Sequence, residues 1–425
     1  MAEAALVVAA LLVVAAAVRG GLAAASIAGA TQAGGVGADE ALRDVTVLVA
    51  VRSGDPLLPR VLASSVATLS PARVLLLVDD DDVAGQDAAG AAVAGRPHVE
   101  VVVCPPPAPG INPKVHKLAL ADVRTRTVVL LDDDTALPAG GLARLVAALG
   151  DADLATGVPV YREQGGLWSR LLAAFVNGSA LVTYLPLARV GPPVSVNGMV
   201  VAFRSDDLAT VGGFAALATA TCDDYALARL FRAHGLRIVQ TAHPALVATT
   251  VPSASDYLRV VRRWLMFAGE VVRRDLSPRL VLLVLVPTAL PLVAVVLAAV
   301  SRDATAVVAT LVALAGSALV TRTLRRRVTA SGRSTGADLA RTATPAVATA
   351  GGSAHGGVVT EDGSGRGGAD LWTAPTHGGA SGWLGVALEP VAAVLAPLQA
   401  VAAQVGPRTV TWRGRRVVVG IGSAP

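Results

Sequence analysis

Three aspartates stand in a row, Asp132-Asp133-Asp134, directly after the apolar run Thr127–Leu131. Carboxylates so placed repel one another unless a cation sits among them. The group Asp132–Asp134 therefore reads as a site for a divalent metal, Mg2+ or Mn2+. Mg2+ held by one or two carboxylates keeps positions open for the phosphates of a substrate. A second group, Asp79-Asp80-Asp81-Asp82, follows Val74–Val78. It suits a ligand contact, and equally solvated loop acids or helix caps. A third pair, Asp223-Asp224, precedes Ala226–Phe231. Either a general base or a helix N-cap fits there. The only lysines, Lys114 and Lys117, fall in one stretch, Ile111–Leu118, of a chain whose other basic residues are all arginine. Two lysines surviving in one motif point to a local chemical need.

These groups require elements that bring them together. Between residues 44 and 275 short apolar runs alternate with helical segments. Strands are expected at Val45–Val51, Val74–Val78, Val99–Cys104 and Thr127–Leu131, with a helix over Leu57–Leu69. Wholly apolar strands imply a mostly parallel sheet covered on both faces, an α/β domain. Ligands bind such sheets at the carboxyl ends of the strands, where two of the acid groups fall. No GxGxxG fingerprint or Walker loop follows any of these strands, which argues against dinucleotide and P-loop chemistry.

The remainder of the 425 residues is apolar in another way. Apolar types make up 53%, charged residues 16%, and mean hydropathy is +0.59. Disorder of the whole chain is excluded, because disorder needs low hydrophobicity and high charge. Regular charges in the middle exclude a bundle made of membrane helices alone. The composition fits an integral membrane protein with a large aqueous domain and no nucleic-acid partner. Residues 1–30 hold the apolar run Ala4–Val18 closed by Arg19, read as a membrane anchor with a cleaved signal peptide as the alternative. Leu280–Val300 and Ala304–Val320 form a transmembrane hairpin over 280–320, and Arg322, Arg325, Arg326 and Arg327 mark its cytoplasmic end. Residues 329–382 read as a disordered Gly/Ser/Thr-rich insertion. The 383–425 stretch holds Trp383–Val405, read as a re-entrant or interfacial helix or a full span, and a basic tail. Tyr257–Phe267 reads as an amphipathic helix at the bilayer surface. Two cysteines, Cys104 and Cys222, make no disulfide framework.

Together the motifs resemble family 2-type glycosyltransferases of GT-A fold. More narrowly, they are similar to ceramide glucosyltransferases and bacterial hopanoid-biosynthesis-associated glycosyltransferases. The resemblance rests on Val45–Val49, Val78–Asp82 and Ile111–Leu118 with its Asn-Pro-Lys-Val core. It extends through Leu131–Asp134 as the DxD motif, Asn197–Val200 with Phe203-Arg204, and Gly212-Gly213-Phe214. Asp223-Asp224-Tyr225 and Trp412–Arg415 complete it. One departure stands out. The family pattern Gln/Arg-x-x-Arg-Trp has its Arg-Trp as Arg263-Trp264, but Val260 occupies the first position and Arg259 lies one residue early.

The resemblance implies a GT-A (nucleotide-diphospho-sugar transferase) domain over 44–275 with N- and C-terminal transmembrane helices. It implies inverting transfer of a hexose from a UDP-sugar to a membrane lipid hydroxyl. Asp224 would be the base, with Asp223, Arg263 and Trp264 in the catalytic group. Val51, Asp79, Asp80, Lys114, Asp132 and Asp133 would contact the nucleotide-sugar, and Asp132 and Asp134 the metal. Arg263 would clamp phosphate oxygens. The location implied is the inner (plasma) membrane, multi-pass, with a cytoplasmic catalytic domain. A processive polysaccharide synthase and a non-catalytic membrane scaffold are the competing readings.

Overall fold

The structure is a computed structural model that describes residues 1–30, 38–342, 380–405, 409–412 and 415–418. Eight strands form its main sheet: β1 (Val45–Val51), β2 (Arg73–Asp79), β3 (Val99–Cys104), β4 (Thr127–Leu131), β5 (Thr135–Ala136), β6 (Leu154–Tyr161), β7 (Val200–Arg204) and β8 (Ile238–Val247). Their order is β3-β2-β1-β4-β7-β6-β8-β5. The first four strands in this order are mutually parallel, and β6 pairs parallel with β8. The antiparallel insertion of β7 between β4 and β6, with β5 antiparallel to β8, makes the sheet mixed.

Register decides what meets what. Ala50 of β1 lies beside Leu77 of β2, and Val49 lies beside Leu131 of β4, so these three strands end on one edge. Because β7 runs the other way, with Val200 opposite Leu131, the Asn197-Gly198-Met199 turn before it reaches that same edge. Alternate side chains point to opposite faces. Val45, Val47, Val49 and Val51 pack with Val74, Leu76 and Val129 under the helices Leu58–Ala67, Val83–Val93 and Gly141–Ala147. Leu48, Leu75, Leu77 and Leu130 pack on the other face against Pro113–Ala119 and Asp223–Ala233. The expected helix over Leu57–Leu69 is shorter at both ends, spanning Leu58–Ala67.

Among the described residues five helices are long and apolar enough to cross a membrane: Ala2–Ala30, Leu167–Arg189, Pro278–Ser301, Ala304–Ala330 and Ala387–Val405. Leu167–Arg189 stands apart, since 56% of its apolar window is buried inside the protein, against 22% for Ala2–Ala30. It consists of two helices, Leu167–Asn177 and Leu181–Arg189, laid against β6. The N-terminal helix continues past Arg19 into the small-residue stretch, which gives it 29 residues. Two helices, Pro278–Ser301 and Ala304–Ala330, cover the stretch expected as a hairpin. Its first arm opens with a π-helical turn, Val281–Leu285, ahead of Pro287 and Pro291. Arg302 turns it in left-handed conformation (φ 55°), and Asp303 caps the second arm by accepting from the Ala306 N–H at 2.8 Å.

That second arm is one helix, Ala304–Thr342, and so takes in residues 329–342 of the expected insertion. Residues 343–379 lie outside the described residues. Trp383–Val405 belongs to a single helix, Ala380–Val405, in spite of Pro390 and Pro397. Of the Trp412–Arg415 motif, Trp412 ends β9 (Thr409–Trp412) and Arg415 begins β10 (Arg415–Val418). Arg413 and Gly414 lie outside the described residues.

Candidate active site

Four chain segments converge where β1, β2 and β4 end. Arg52 follows β1 and donates from its side chain to Asp79 Oδ2 (3.1 Å) and Asp81 Oδ1 (3.4 Å). Its backbone N–H donates to Asp133 Oδ2 at 2.7 Å. Asp82 takes the Ser53 N–H at 2.7 Å and, as the cap of the following helix, the Gly85 N–H at 3.1 Å. Those bonds, with the Arg52 charge, hold its carboxyl below the usual range against the opposing effect of burial. Asp82 is thus an acid of the helix-capping kind. Asp80 stands exposed beside the group, and its backbone N–H donates to the Cys104 carbonyl at the end of β3.

The two lysines divide the work. Asn112 caps the short helix Pro113–Ala119 and orients both. Lys117 is 0% exposed. Its ammonium donates to the Val51 carbonyl at 2.7 Å and to Asp79 Oδ2 at 3.0 Å. It therefore tethers the end of β1 to the end of β2. Lys114 lies one turn earlier and donates to Asp132 Oδ1 at 2.7 Å. It also pairs with Asp223 Oδ2 at 3.3 Å, joining the DxD segment to the Asp223-Asp224 segment. Its ammonium is held charged, above the usual lysine range, because these acids outweigh its burial. Removing the buried Lys117 charge leaves Asp79 and a strand-end carbonyl short of a partner. Breaking such a pair costs about 3–5 kcal/mol. We expect Lys117→Ala to lose about that much stability, read as a lowered midpoint of thermal unfolding in detergent. A midpoint equal to that of the unaltered protein would contradict the tether.

Asp134 is the acid under most strain. Burial, then the charges of Asp132 and Asp133, push its carboxyl up to about 8, while Thr135 Oγ1 donates to it at 3.0 Å. Crowded, desolvated carboxyl oxygens of this kind are what a hard divalent cation relieves. Among the described residues no three or more His, Cys, Asp or Glu cluster as a metal cage. Asp132 and Asp134 are the carboxylates here that could hold such a cation.

Asp223 and Asp224 open the helix Asp223–Ala233. Asp224 Oδ1 is fixed by the Tyr225 N–H at 2.7 Å and the Cys222 thiol at 2.8 Å. The other oxygen, Oδ2, faces Gly198, where a side chain's first carbon would come within 3.2 Å of it. Glycine there leaves that oxygen accessible. Burial first, and the Asp223 charge second, raise the Asp224 carboxyl above the usual range.

Trp264 meets Tyr161 edge-on, ring centroids 6.1 Å apart. Tyr161 ends β6, and the charges of Asp134, Asp132 and Arg263 all act on its phenol, whose ionisation is suppressed chiefly by burial. The Arg-Trp pair thus reaches the same place as the DxD acids. Arg259 does not: it pairs with Asp256 at 2.8 Å on the exposed side of the helix Ala254–Asp275, and Val260 packs inward. Sequence reasoning overlooked Arg52 and Tyr161, and did not assign Lys117 to the site. A cation directly after an apolar strand that ends among acids was the available signal for Arg52.

From Asp224 and Trp264 a cavity of about 480 Å³ extends among the apolar helices. Its wall includes Leu12 and Arg19 of the N-terminal helix, Pro291 and Ser317 of the hairpin, and Ala393 of the last helix.

Sequence comparison places these features in a family. A sequence model for glycosyl transferase family 21 matches residues 8–347, which is most of the chain. No curated protein matches it in a sequence search. Among solved structures it is similar to a mannosyltransferase from Pyrobaculum calidifontis in complex with GDP-Man and Mn2+. That protein is 18% identical, and the match covers 78% of this chain and 99% of that one, with a TM-score of 0.43. It is also similar to glucosyl-3-phosphoglycerate synthase from Mycobacterium tuberculosis, solved with Mn2+, UDP and glucosyl-3-phosphoglycerate. There identity is 18%, coverage 56% of this chain and 85% of that one, and the TM-score 0.34. Matched over most of its length, and with terminal helices apolar enough to span a membrane, the chain belongs to glycosyl transferase family 21 and is a glycosyltransferase.

Proposed function

We propose that this protein is an inverting glycosyltransferase of the plasma membrane, with its catalytic domain on the cytoplasmic side. It moves a hexose of the glucose or N-acetylglucosamine class from a UDP-sugar to a lipid hydroxyl, such as that of a ceramide or hopanoid. The observation that carries this reading is the cavity leading from Asp224 into the apolar helices. Its volume lies within the ~300–1,000 Å³ usual for ligand pockets. An acceptor entering by that route comes from the bilayer.

In this reading the acceptor hydroxyl gives its proton to Asp224 Oδ2 as its oxygen attacks the anomeric carbon. The bond from that carbon to the diphosphate breaks on the opposite face, and the electron pair leaves with UDP. Asp132 and Asp134 would hold a divalent metal, which when bound neutralises charge on the diphosphate. Arg263 would serve the same oxygens from the other side. Val51, Asp79, Asp80, Lys114 and Asp133 surround the place for the nucleotide-sugar. Trp264 and Tyr161 line the passage from donor to acceptor.

The test is to incubate membranes holding the protein with radiolabelled UDP-hexoses and a lipid extract. Label in the organic phase, at a mass one hexose above a lipid, is expected. Labelled polymer would favour a synthase, and no product from any donor would favour a scaffold. A pH measurement tests the base. Because the Asp223 charge helps to hold the Asp224 carboxyl up, the base form is populated only above an elevated pKa. We expect Asp223→Asn to move the acid limb of the kcat profile to lower pH. An unmoved limb would remove Asp224 from the role.

A further inference from the structure

Arg19 is a cation on the wall of the otherwise mainly apolar cavity. Its position has a local cause. Pro186 lies inside the helix Leu181–Arg189 and has no N–H to offer the Val182 carbonyl one turn earlier. Arg19 Nε supplies the missing donor, reaching Val182 O at 2.7 Å. One terminal nitrogen, Nη2, donates to Thr183 Oγ1 at 3.2 Å. The next residue, Tyr184, lies within the electrostatic reach of Asp224 and lines the same cavity. The guanidinium is thereby fixed on the route to the base.

Two bonds do not exhaust it. A guanidinium has five N–H donors and accepts nothing. Among the described residues no carboxylate pairs with Arg19, and no charged group acts on it. Donors left unanswered in an apolar enclosure are costly. Neither carboxylate that shares the cavity bonds Arg19, and one oxygen of Asp224 stays accessible beside Gly198. Asp224 is held by Tyr225 and Cys222, and Glu389 by Arg322, Arg325 and Thr321. Arg19 thus lines the cavity with three N–H donors that no protein group among the described residues takes up.

We infer that Arg19 is a specificity-determining residue for the acceptor, and that the lipid carries an acceptor-only oxygen beside its reactive hydroxyl. An amide or ester carbonyl or a phosphoryl oxygen meets that description; a lipid with hydroxyls alone does not. This rests on the lipid-acceptor reading above and narrows it: N-acyl and O-acyl lipids and phospholipids fit, and hopanoid alcohols are disfavoured.

The experiment uses the full chain in detergent micelles with radiolabelled UDP-hexose. The carbonyl probes are ceramide and 1,2-diacylglycerol, and the phosphoryl probe is phosphatidylglycerol. The probes without a carbonyl or phosphoryl oxygen are 1,2-dialkylglycerol of the same chain length, whose ether oxygens are weak acceptors, and a hopanoid polyol, which has hydroxyls alone. Diacylglycerol and dialkylglycerol present the same free hydroxyl and differ in the carbonyls. A site built to hydrogen-bond a group discriminates strongly against its absence. The expected kcat/KM ratio of diacyl over dialkyl lipid, or of ceramide over the hopanoid, is at least about tenfold. Preference for phosphatidylglycerol over the carbonyl lipids would identify the oxygen as phosphoryl. Arg19→Leu should bring the ratio to about one by raising KM for the preferred lipid. Thr183→Val, which removes one anchor but keeps the charge, should lower it in part. UDP affinity by calorimetry reports whether each variant is folded. Equal use of lipids with and without a carbonyl or phosphoryl oxygen, or an unchanged ratio in a folded Arg19→Leu protein, would overturn the inference and leave the lipid reading standing. Absence of labelled lipid with every probe would remove both.

Discussion

Asp224→Asn is expected to reduce hexose transfer by about 10²–10⁴-fold, the span that a positioned general base contributes. The substitution preserves shape, and the side-chain oxygen can still accept the Tyr225 N–H and the Cys222 thiol. What is lost is a carboxylate oxygen able to take a proton beside Gly198. Donor affinity should stay within about twofold, since the role proposed for Asp224 lies at the acceptor end of the reaction. Initial rates with labelled UDP-hexose, set beside UDP affinity by calorimetry, make the comparison. Transfer at the rate of the unaltered enzyme would show that another group takes the proton. A parallel collapse of UDP affinity would instead place Asp224 in donor binding.

Asp134→Ala should act on the opposite partner. Its carboxyl is raised by burial and by Asp132 and Asp133, so alanine removes the group that a cation would most stabilise. Loss of charge stabilisation at a leaving group costs about 10²–10³ in rate. The sharper readout is binding. UDP should bind the unaltered protein more tightly with Mn2+ than without, and Asp134→Ala should abolish that difference. Equal strengthening by Mn2+ in both proteins would reject Asp134 as a ligand.

The legible parts of this site were those that one strand and its following residues determine. Apolar runs of β-branched residues that end in acids gave β1, β2 and β4 and the edge on which Asp79 and Asp132–Asp134 stand. The mixed character of the sheet was not legible, because nothing within Val200–Arg204 says which neighbours it will take. Pairings across distant segments were hidden for the same reason. The Lys114 bridge from Asp132 to Asp223 depends on the helix Pro113–Ala119 lying over that edge, and a helix's orientation is a property of packing. Leu167–Arg189 was missed although its first helix, Leu167–Asn177, carries a clear apolar face, which was the available signal. The Arg-Trp motif shows the limit of spacing: Val260 and Arg259 differ by one position, and on a helix that step decides between core and solvent.

Glu389 has a bearing on how the protein is made. It is 3% exposed and belongs to the helix Ala380–Val405, yet its carboxylate serves Arg322, Arg325 and Thr321 of the hairpin. Arg325 reaches on to Glu163 at 2.7 Å, just after β6 of the aqueous domain. This charge chain fastens three parts that leave the ribosome at different times. Until the last helix docks, two arginines share one carboxylate and the cavity lacks the wall that Ala393 provides. The cavity wall beside Asp224 is therefore completed by a helix that follows the hairpin in the chain.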